Sequence, residues 1–364
     1  MTAADFEAAG LYDPKATGAA ARLELLEFLA ARGATLEQMT AAAHQGQLTA
    51  LAGDLVLKAG QRYDLAEVAE LTGLPEDRIR MLCLAVGLPL TRDGQRLTEE
   101  NVQMLRLFAG GAAIFGEGPL LRLLRIVGAS LARTAEAALS VFYVNIEGPM
   151  RKRGTTERAM AEASLRAIEA IEGLQAMIHG LFRAHMEVAI DRFRRLDLGR
   201  SVDTAHMTVG FVDLVGFTTL STRLSARDLA GLIERFEEGA HDVVTARGGR
   251  LVKLIGDEVM FVTLEASAAC DTALALCEEF ATDPAVTPRG ALATGELLLR
   301  GGDYYGPIVN LASRLAELAV PRELLVTAAV AAEARSATLR FEPAGRRMLK
   351  GFEEPVALLT VERA

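Results

Sequence analysis

Asp213 closes the apolar run Phe211-Val212-Asp213 and is followed by Leu214-Val215-Gly216-Phe217-Thr218. A carboxylate at the end of a buried strand is costly to desolvate unless a cation or donor compensates it. Gly216 allows a tight turn directly after it. Backbone N–H groups in such a turn, ahead of a helix near Thr218, can cradle phosphate oxygens. A carboxylate beside an anion site makes chemical sense if a divalent ion bridges the two. A second aspartate, Asp257, lies in Lys253-Leu254-Ile255-Gly256-Asp257-Glu258, at the tip of an expected hairpin. Gly-Asp is a common turn pair, so Asp257 alone says little. Two strand-end aspartates that converge, however, suit a two-metal phosphoryl-transfer centre. Further on, Asn310 and Arg314 stand four residues apart in Gly306-Pro307-Ile308-Val309-Asn310-Leu311-Ala312-Ser313-Arg314. They share one helix face, and the arginine offers a permanently charged fork of donors to phosphate. An isolated pair of this kind is usually solvated, but this one follows an Asp303-x-x-Gly306 loop.

The elements that must hold these residues can be read from periodicity. After a polar segment at 197–204, His206–Leu214 reads as a buried strand and Ala226–Ala246 as a helix. Arg250–Leu254 and Val259–Leu264 flank Gly256-Asp257 as a hairpin. A helix over Ala266–Ala281, a strand near Ala291–Leu299 and a helix over Pro307–Ala319 follow, with Pro307 suited to a first turn. Leu324–Val326 and Pro355–Val361 are expected strands. Strands and helices mixed around a hairpin point to an α+β sandwich.

Together the three segments resemble the class III nucleotide cyclases. The matching pattern is a strand ending Asp213-x-x-Gly216-Phe217-Thr218, then Lys253-x-x-x-Asp257, then Asp303-x-x-Gly306-x-x-x-Asn310-x-x-x-Arg314. It covers roughly Val202 to the C-terminus, and three ordered elements are far more specific than any one. The resemblance implies a ferredoxin-like βαββαβ catalytic domain. It implies that Asp213 and Asp257, with the Leu214 carbonyl, hold two Mg²⁺ or Mn²⁺ ions, and that Gly216, Phe217 and Thr218 bind the β- and γ-phosphates. Asn310 would orient the ribose, and Arg314 would stabilise the transition state at the α-phosphorus. Lys350, before Gly351, matches a phosphate-contacting position less closely and reads equally well as a surface lysine. Lys253 and Asp303 occupy the positions that face the purine edge. A lysine donates to adenine N1 and an aspartate accepts from its N6, whereas guanine reverses both groups and would meet a heavy penalty. ATP is the expected substrate. In this family the metal aspartates come from one catalytic domain and the other functional residues from its partner. A single chain filling all six positions is therefore expected to act as a homodimer with two equivalent sites.

Ahead of this domain, Ala19 to about Arg195 carries a helical pattern nearly throughout, with breaks at Gly33, Gly73–Pro75, Gly87–Pro89, Gly116–Pro119 and Gly148–Gly154. The expected organisation is a helical regulatory domain over 1–196, a linker over 197–204 and a catalytic domain over 205–364. The layout resembles the regulatory domain of soluble actinobacterial pH-sensing adenylyl cyclases. That implies relief of autoinhibition by acid, with a fatty acid or lipid as a candidate ligand among the helices. Histidine titrates near neutrality, so His179 and His185 on the last long helix and His206 at the first catalytic strand are the regulatory candidates. A competing reading comes from Tyr63 to Arg80, where a helix, a Thr72-Gly73 turn and a second helix bearing Arg78 and Arg80 look like a MerR-type helix-turn-helix. The alternative function is thus an inactive nucleotide-sensing or DNA-binding regulator. Glu76 and Asp77 oppose it, since they would repel phosphates where a recognition helix begins.

Composition narrows the field. The 364 residues carry a formal net charge of −9, which disfavours a general nucleic-acid binder. Three cysteines, with no CxxC spacing, indicate neither a disulfide framework nor a zinc site. The stretch Leu105–Leu131 is interrupted by Arg106, Glu117, Arg122 and Arg125 and reads as soluble helices, and the N-terminus has no apolar signal region. A cytoplasmic protein is expected.

Overall fold

The structure, a computed structural model, describes residues 1–88, 90, 97–196, 203–281 and 286–364. It divides into two units, Met1–Glu187 and Val188–Ala364. Most of the expected linker, 197–202, lies outside the described residues, as does Pro89 of one expected break.

The N-terminal unit is largely helical. Its elements are α1 (Ala3–Ala8), α2 (Ala19–Ala31), α3 (Leu36–His44), α4 (Leu51–Leu57), β1 (Arg62–Tyr63), α5 (Leu65–Thr72), α6 (Glu76–Ala85), β2 (Leu97–Thr98), α7 (Glu99–Phe115), α8 (Glu117–Phe142) and α9 (Gly148–Lys152). The long helix α10 spans Glu157–Arg195, and the division between units falls inside it. A π-helical segment, Tyr143–Glu147, joins α8 to α9. The expectation of an all-α region needs one correction, because β1 and β2 pair as a short antiparallel ladder, Arg62 opposite Thr98. Helix starts follow local chemistry. Thr2, Thr35, Asp64 and Thr98 each close a reciprocal capping box with the residue three positions on. Two separate cores form, one around Phe6, Leu25, Leu26, Leu29 and Met39, the other around Val68, Ile79, Leu82, Val102 and Leu105. Helix α8 buries no residue and leaves Leu123, Ile126, Val127 and Leu131 exposed. Among the described residues, no helix is long and apolar enough to cross a membrane.

The C-terminal unit is built on an eight-stranded sheet. Strands β3 (Thr204–Val215), β4 (Arg250–Ile255), β5 (Glu258–Thr263) and β6 (Thr287–Arg300) are joined by helices α11 (Phe217–Ser221), α12 (Ala226–Ala246) and α13 (Ala266–Phe280). Then come β7 (Asp303–Tyr305), α14 (Pro307–Leu318), β8 (Leu324–Thr327), α15 (Ala328–Glu333), β9 (Leu339–Arg347) and β10 (Val356–Arg363). The sheet order is β4-β5-β3-β6-β8-β10-β9, with β7 pairing β6. β3 runs antiparallel to both its neighbours, β5 and β6. Residues alternate in β3 as a pleated strand requires. Val212 and Leu214 face a core shared with α12 and α13, while Met207, Val209 and Phe211 face a second core shared with α14 and Leu196. β3 is therefore covered on both faces, which explains its continuous apolar run.

Gly210 shows how tightly this layer is packed. A Cβ there would lie 2.3 Å from the Phe261 ring and 2.7 Å from Leu292. Gly210→Ala should cost about 1–3 kcal/mol through overpacking, read as a fall in the urea midpoint at unchanged slope. Phe261→Leu in the same chain should recover part of the loss.

Candidate active site

Asp213 stands near the end of β3, opposite Arg289 of β6 and Glu258 of β5. Arg289 grips one oxygen of it. Nε and Nη2 donate to Asp213 Oδ2 at 3.0 and 2.9 Å, while Nη1 donates to the carbonyls of Glu317 and Ala319 at 2.9 and 3.1 Å. The guanidinium thus ties the strand end to the C-terminal end of α14, where unsatisfied carbonyls favour a cation. Sequence reading missed Arg289, since only the strand register reveals it as the partner of Asp213.

Asp257 sits in the β4–β5 turn after Gly256, which has φ +65°, and the Asp213–Glu258 pairing brings that turn to the Asp213 end of the sheet. Burial raises the Asp257 carboxyl above its ordinary value. A backbone hydrogen bond opposes the rise, and the charge and hydrogen bonding of Asp213 add to it. Glu258 is pushed up to about 7, first by burial and then by the charges of Asp213, Glu317 and Asp257. Negative charge is therefore concentrated here beyond what Arg289 offsets, and a hard oxygen-liganded cation fits such a place. Leu214 lies opposite Pro288, which has no N–H to donate, so β6 offers the Leu214 carbonyl no ladder donor. Among the described residues no group of three or more His, Cys, Asp or Glu is arranged to hold a metal. The donor set is two carboxylates and a backbone carbonyl. That fits Mg²⁺, which usually keeps waters and takes substrate phosphates to complete its shell.

Gly216 adopts φ +95°, a left-handed turn from which α11 starts at Phe217. Thr218 lies within α11.

A second group forms elsewhere on the same unit. Lys253 Nζ donates to Asp303 Oδ2 at 2.6 Å, and Asp303 Oδ1 accepts the Tyr304 backbone N–H at 2.8 Å. Burial raises the Asp303 carboxyl, but the Lys253 hydrogen bond, the Tyr304 N–H and the Lys253 charge outweigh it and hold the group below its ordinary value. The expected loop at Asp303 is in fact strand β7. Asn310 and Arg314 follow on α14, Asn310 exposed and Arg314 partly buried. The Arg314 guanidinium lies 5.8 Å from the Phe352 ring centroid, and a Cβ on Gly351 would come within 3.1 Å of it. Exposed Lys350 occupies the turn before Gly351, so the fold brings its segment to Arg314. No hydrogen bond or ion pair among the described residues links this group to Asp213 and Asp257.

His179 and His185 are exposed on α10. His206 meets Glu333 through Nε2 at 3.1 Å and the Thr294 hydroxyl at 3.4 Å. In the helix-turn-helix segment, Arg78 is ion-paired with Glu117, and Arg80 lies 3.7 Å from Glu76. Both arginines expected to meet DNA thus have carboxylate partners. A pocket in the N-terminal unit is lined by Phe142, Met150 and Met160 with Glu147.

No family model matches the chain. Individual relatives do. An uncharacterized protein of Mycobacterium tuberculosis is 34% identical over 356 residues, spanning 96% of this chain and 91% of that one. An adenylate cyclase of Streptomyces coelicolor is 33% identical over 282 residues, 77% of this chain and 73% of its own. The pH-sensitive adenylate cyclase MT1302 of Mycobacterium tuberculosis is 31% identical over 376 residues, 97% and 91% of the two chains. Among solved structures, the adenylyl cyclase CyaB from P. aeruginosa matches 44% of this chain and 96% of its own at 25% identity and a TM-score of 0.41. The last-named relative spans nearly the whole chain, the N-terminal helices as well as the unit that carries Asp213, Asp257, Lys253, Asp303, Asn310 and Arg314, and on that basis the chain belongs to the class III adenylate cyclases.

Proposed function

We propose that the chain converts ATP to 3′,5′-cyclic AMP and pyrophosphate at sites shared between two copies of itself, under control of the N-terminal region. The observation that carries this reading is the direct pairing of Lys253 with Asp303 at 2.6 Å, which sets a donor beside an acceptor as the adenine edge demands. The functional division is a regulatory domain over 1–196, a linker over 197–204 and a catalytic domain over 205–364.

Two divalent ions held by Asp213, Asp257 and the Leu214 carbonyl would supply charge neutralisation and an activated 3′-oxygen. The chain's own residues do the positioning. Lys253 donates to N1 and Asp303 accepts from N6. Asn310 orients the ribose so that its 3′-oxygen faces the α-phosphorus. Backbone N–H groups at Gly216, Phe217 and Thr218 hold the β- and γ-phosphates, with Lys350 reaching the phosphate chain. Arg314 offsets the charge that builds on the α-phosphoryl oxygens as the 3′-oxygen bonds to phosphorus and the bond to pyrophosphate breaks. Preorganised charge of this kind carries most of the rate in such a reaction.

The metal group and the base group are separate on one chain, and the shared-site reading joins them across a two-fold axis. The exposed apolar residues of α8 are a surface that a partner could cover. For regulation, His206 faces Glu333 at 3.1 Å, a contact that is an ion pair only when the imidazole is protonated. The pocket around Phe142 and Met150 also carries Thr49, Glu147 and Ser164 and has room for about one water, too little for the fatty acid or lipid expected among these helices. The DNA-binding alternative has no observation in its favour.

Asp213→Ala and Arg314→Ala should each lose activity by at least about 100-fold. Mixed at equal amounts, they should recover roughly a quarter of wild-type turnover, since half the dimers carry one intact site of two. No recovery from exchanging dimers would sink the shared site. Exchange of Lys253→Glu together with Asp303→Cys should move the ATP-over-GTP ratio of kcat/KM toward GTP by about 100-fold or more. Across about pH 5 to 8, the wild type should gain activity toward acid, and the combined His179→Gln, His185→Gln and His206→Gln chain should show a flattened profile.

A further inference from the structure

Tyr304 follows Asp303 in β7 and is only 3% exposed. A buried phenol needs a partner for its hydroxyl, and here Arg250 supplies it. Arg250 Nη1 donates to the Tyr304 hydroxyl at 3.1 Å, and the Arg250 guanidinium lies 5.3 Å from the ring centroid. Arg250 Nη2 donates to the Gly302 carbonyl at 2.5 Å. One guanidinium therefore grips the residues on both sides of Asp303. A second arginine comes from the last turns of α10, in the segment that belongs to the C-terminal unit. Arg192 lies near the same phenol and near Arg250, and burial lowers its proton affinity. It is partly buried, while Phe193, Arg194 and Arg195 beside it are exposed.

β7 needs such a tether. It has three residues and pairs only with β6, off the main path of the sheet. A hairpin arm this short holds no fixed geometry by itself. Its first residue is nevertheless Asp303, whose two oxygens are aimed at Lys253 and at the Tyr304 N–H.

We infer that Tyr304 is a positioning residue for base recognition, its phenol held by Arg250 with Arg192 close by, so that Asp303 is fixed opposite Lys253. This rests on the reading of Lys253 and Asp303 as the pair that meets the purine.

Steady-state kinetics of the full chain with ATP and with GTP test it, alongside thermal unfolding. Tyr304→Phe keeps the ring and removes the acceptor. It should raise KM for ATP about fivefold and lower the ATP-over-GTP ratio of kcat/KM about tenfold, while kcat for ATP falls less than KM rises. Arg192→Gln should move the same ratio in the same direction, the double variant should add little, and Arg192→Lys should restore part of the effect. Arg192→Gln serves equally if Tyr304→Phe does not fold. A Tyr304→Phe or Arg192→Gln chain that melts earlier but keeps the wild-type ratio would make the tie purely structural and overturn the inference. Lys253→Ala separates the two ideas. If it erodes the ratio and Tyr304→Phe does not, the tether fails alone. If Lys253→Ala leaves the ratio intact, the base-reading assignment fails and the inference with it.

Discussion

The C-terminal unit is organised around a concentration of negative charge at the end of a strand that is covered on both faces. Asp213, Asp257, Glu258 and Glu317 act on one another there, and Arg289 is the cation that bonds Asp213 directly. Burial, with repulsion from the neighbouring carboxylates, raises the proton affinity of Asp257 and Glu258, and bound positive charge opposes the rise. The fold supplies part of that charge from β6 and through it fixes the far end of α14. The helix that carries Asn310 and Arg314 is thereby mechanically tied to the strand that carries Asp213. One guanidinium thus joins Asp213 to the far end of the helix that carries Asn310 and Arg314.

Much of this was legible in the sequence because the responsible signals are local. Ala226–Ala246 is a helix with the expected bounds, and β4, β5, α13 and α14 fall within a residue of expectation, since apolar period and Gly-Asp or Gly-Pro punctuation act over a few residues. The site residues were recognisable by type and spacing. What escaped was non-local. β9 contains Pro343 and Gly345, which demote a strand, and it is tolerated because it is an edge strand whose ladder to β10 shifts register at Leu358 and Leu359. β7 looked like a loop because Gly302 and Gly306 flank it, and only its pairing with β6 makes it a strand. Arg289 and Arg250 are ordinary strand arginines until cross-strand register and hairpin folding give them partners. In the N-terminal unit, β1 and β2 are too short to leave a period, and they are recognisable only through each other.

The helix-turn-helix pattern shows the opposite failure, a local signal without its usual meaning. Asp64 caps α5 through a reciprocal box with Glu67, and Gly73 ends it in a left-handed conformation. These are rules for ending one helix and starting another, and they hold whatever the pair is used for. Ile79, Leu82 and Cys83 of α6 are spent on a core with Val102 and Leu105, and the arginines are spent on Glu117 and Glu76.

The short contact between Lys253 and Asp303 has a consequence for the energetics of turnover. Lys253 and Asp303 satisfy each other in the structure, so under the proposed base-reading role an adenine would exchange for an existing bond instead of filling two empty valences. Such exchange gains little net affinity, because the ion pair and the adenine's own water contacts are given up for the two bonds made. It keeps the full cost of the wrong base, which breaks the pair and returns nothing. Selectivity and tight binding are thereby uncoupled, which suits an enzyme that gains nothing from holding its ground state. The product carries the same adenine edge as the substrate. Under the same proposed role, the ion pair would close behind the departing product, and the recognition element would contribute to clearing the site.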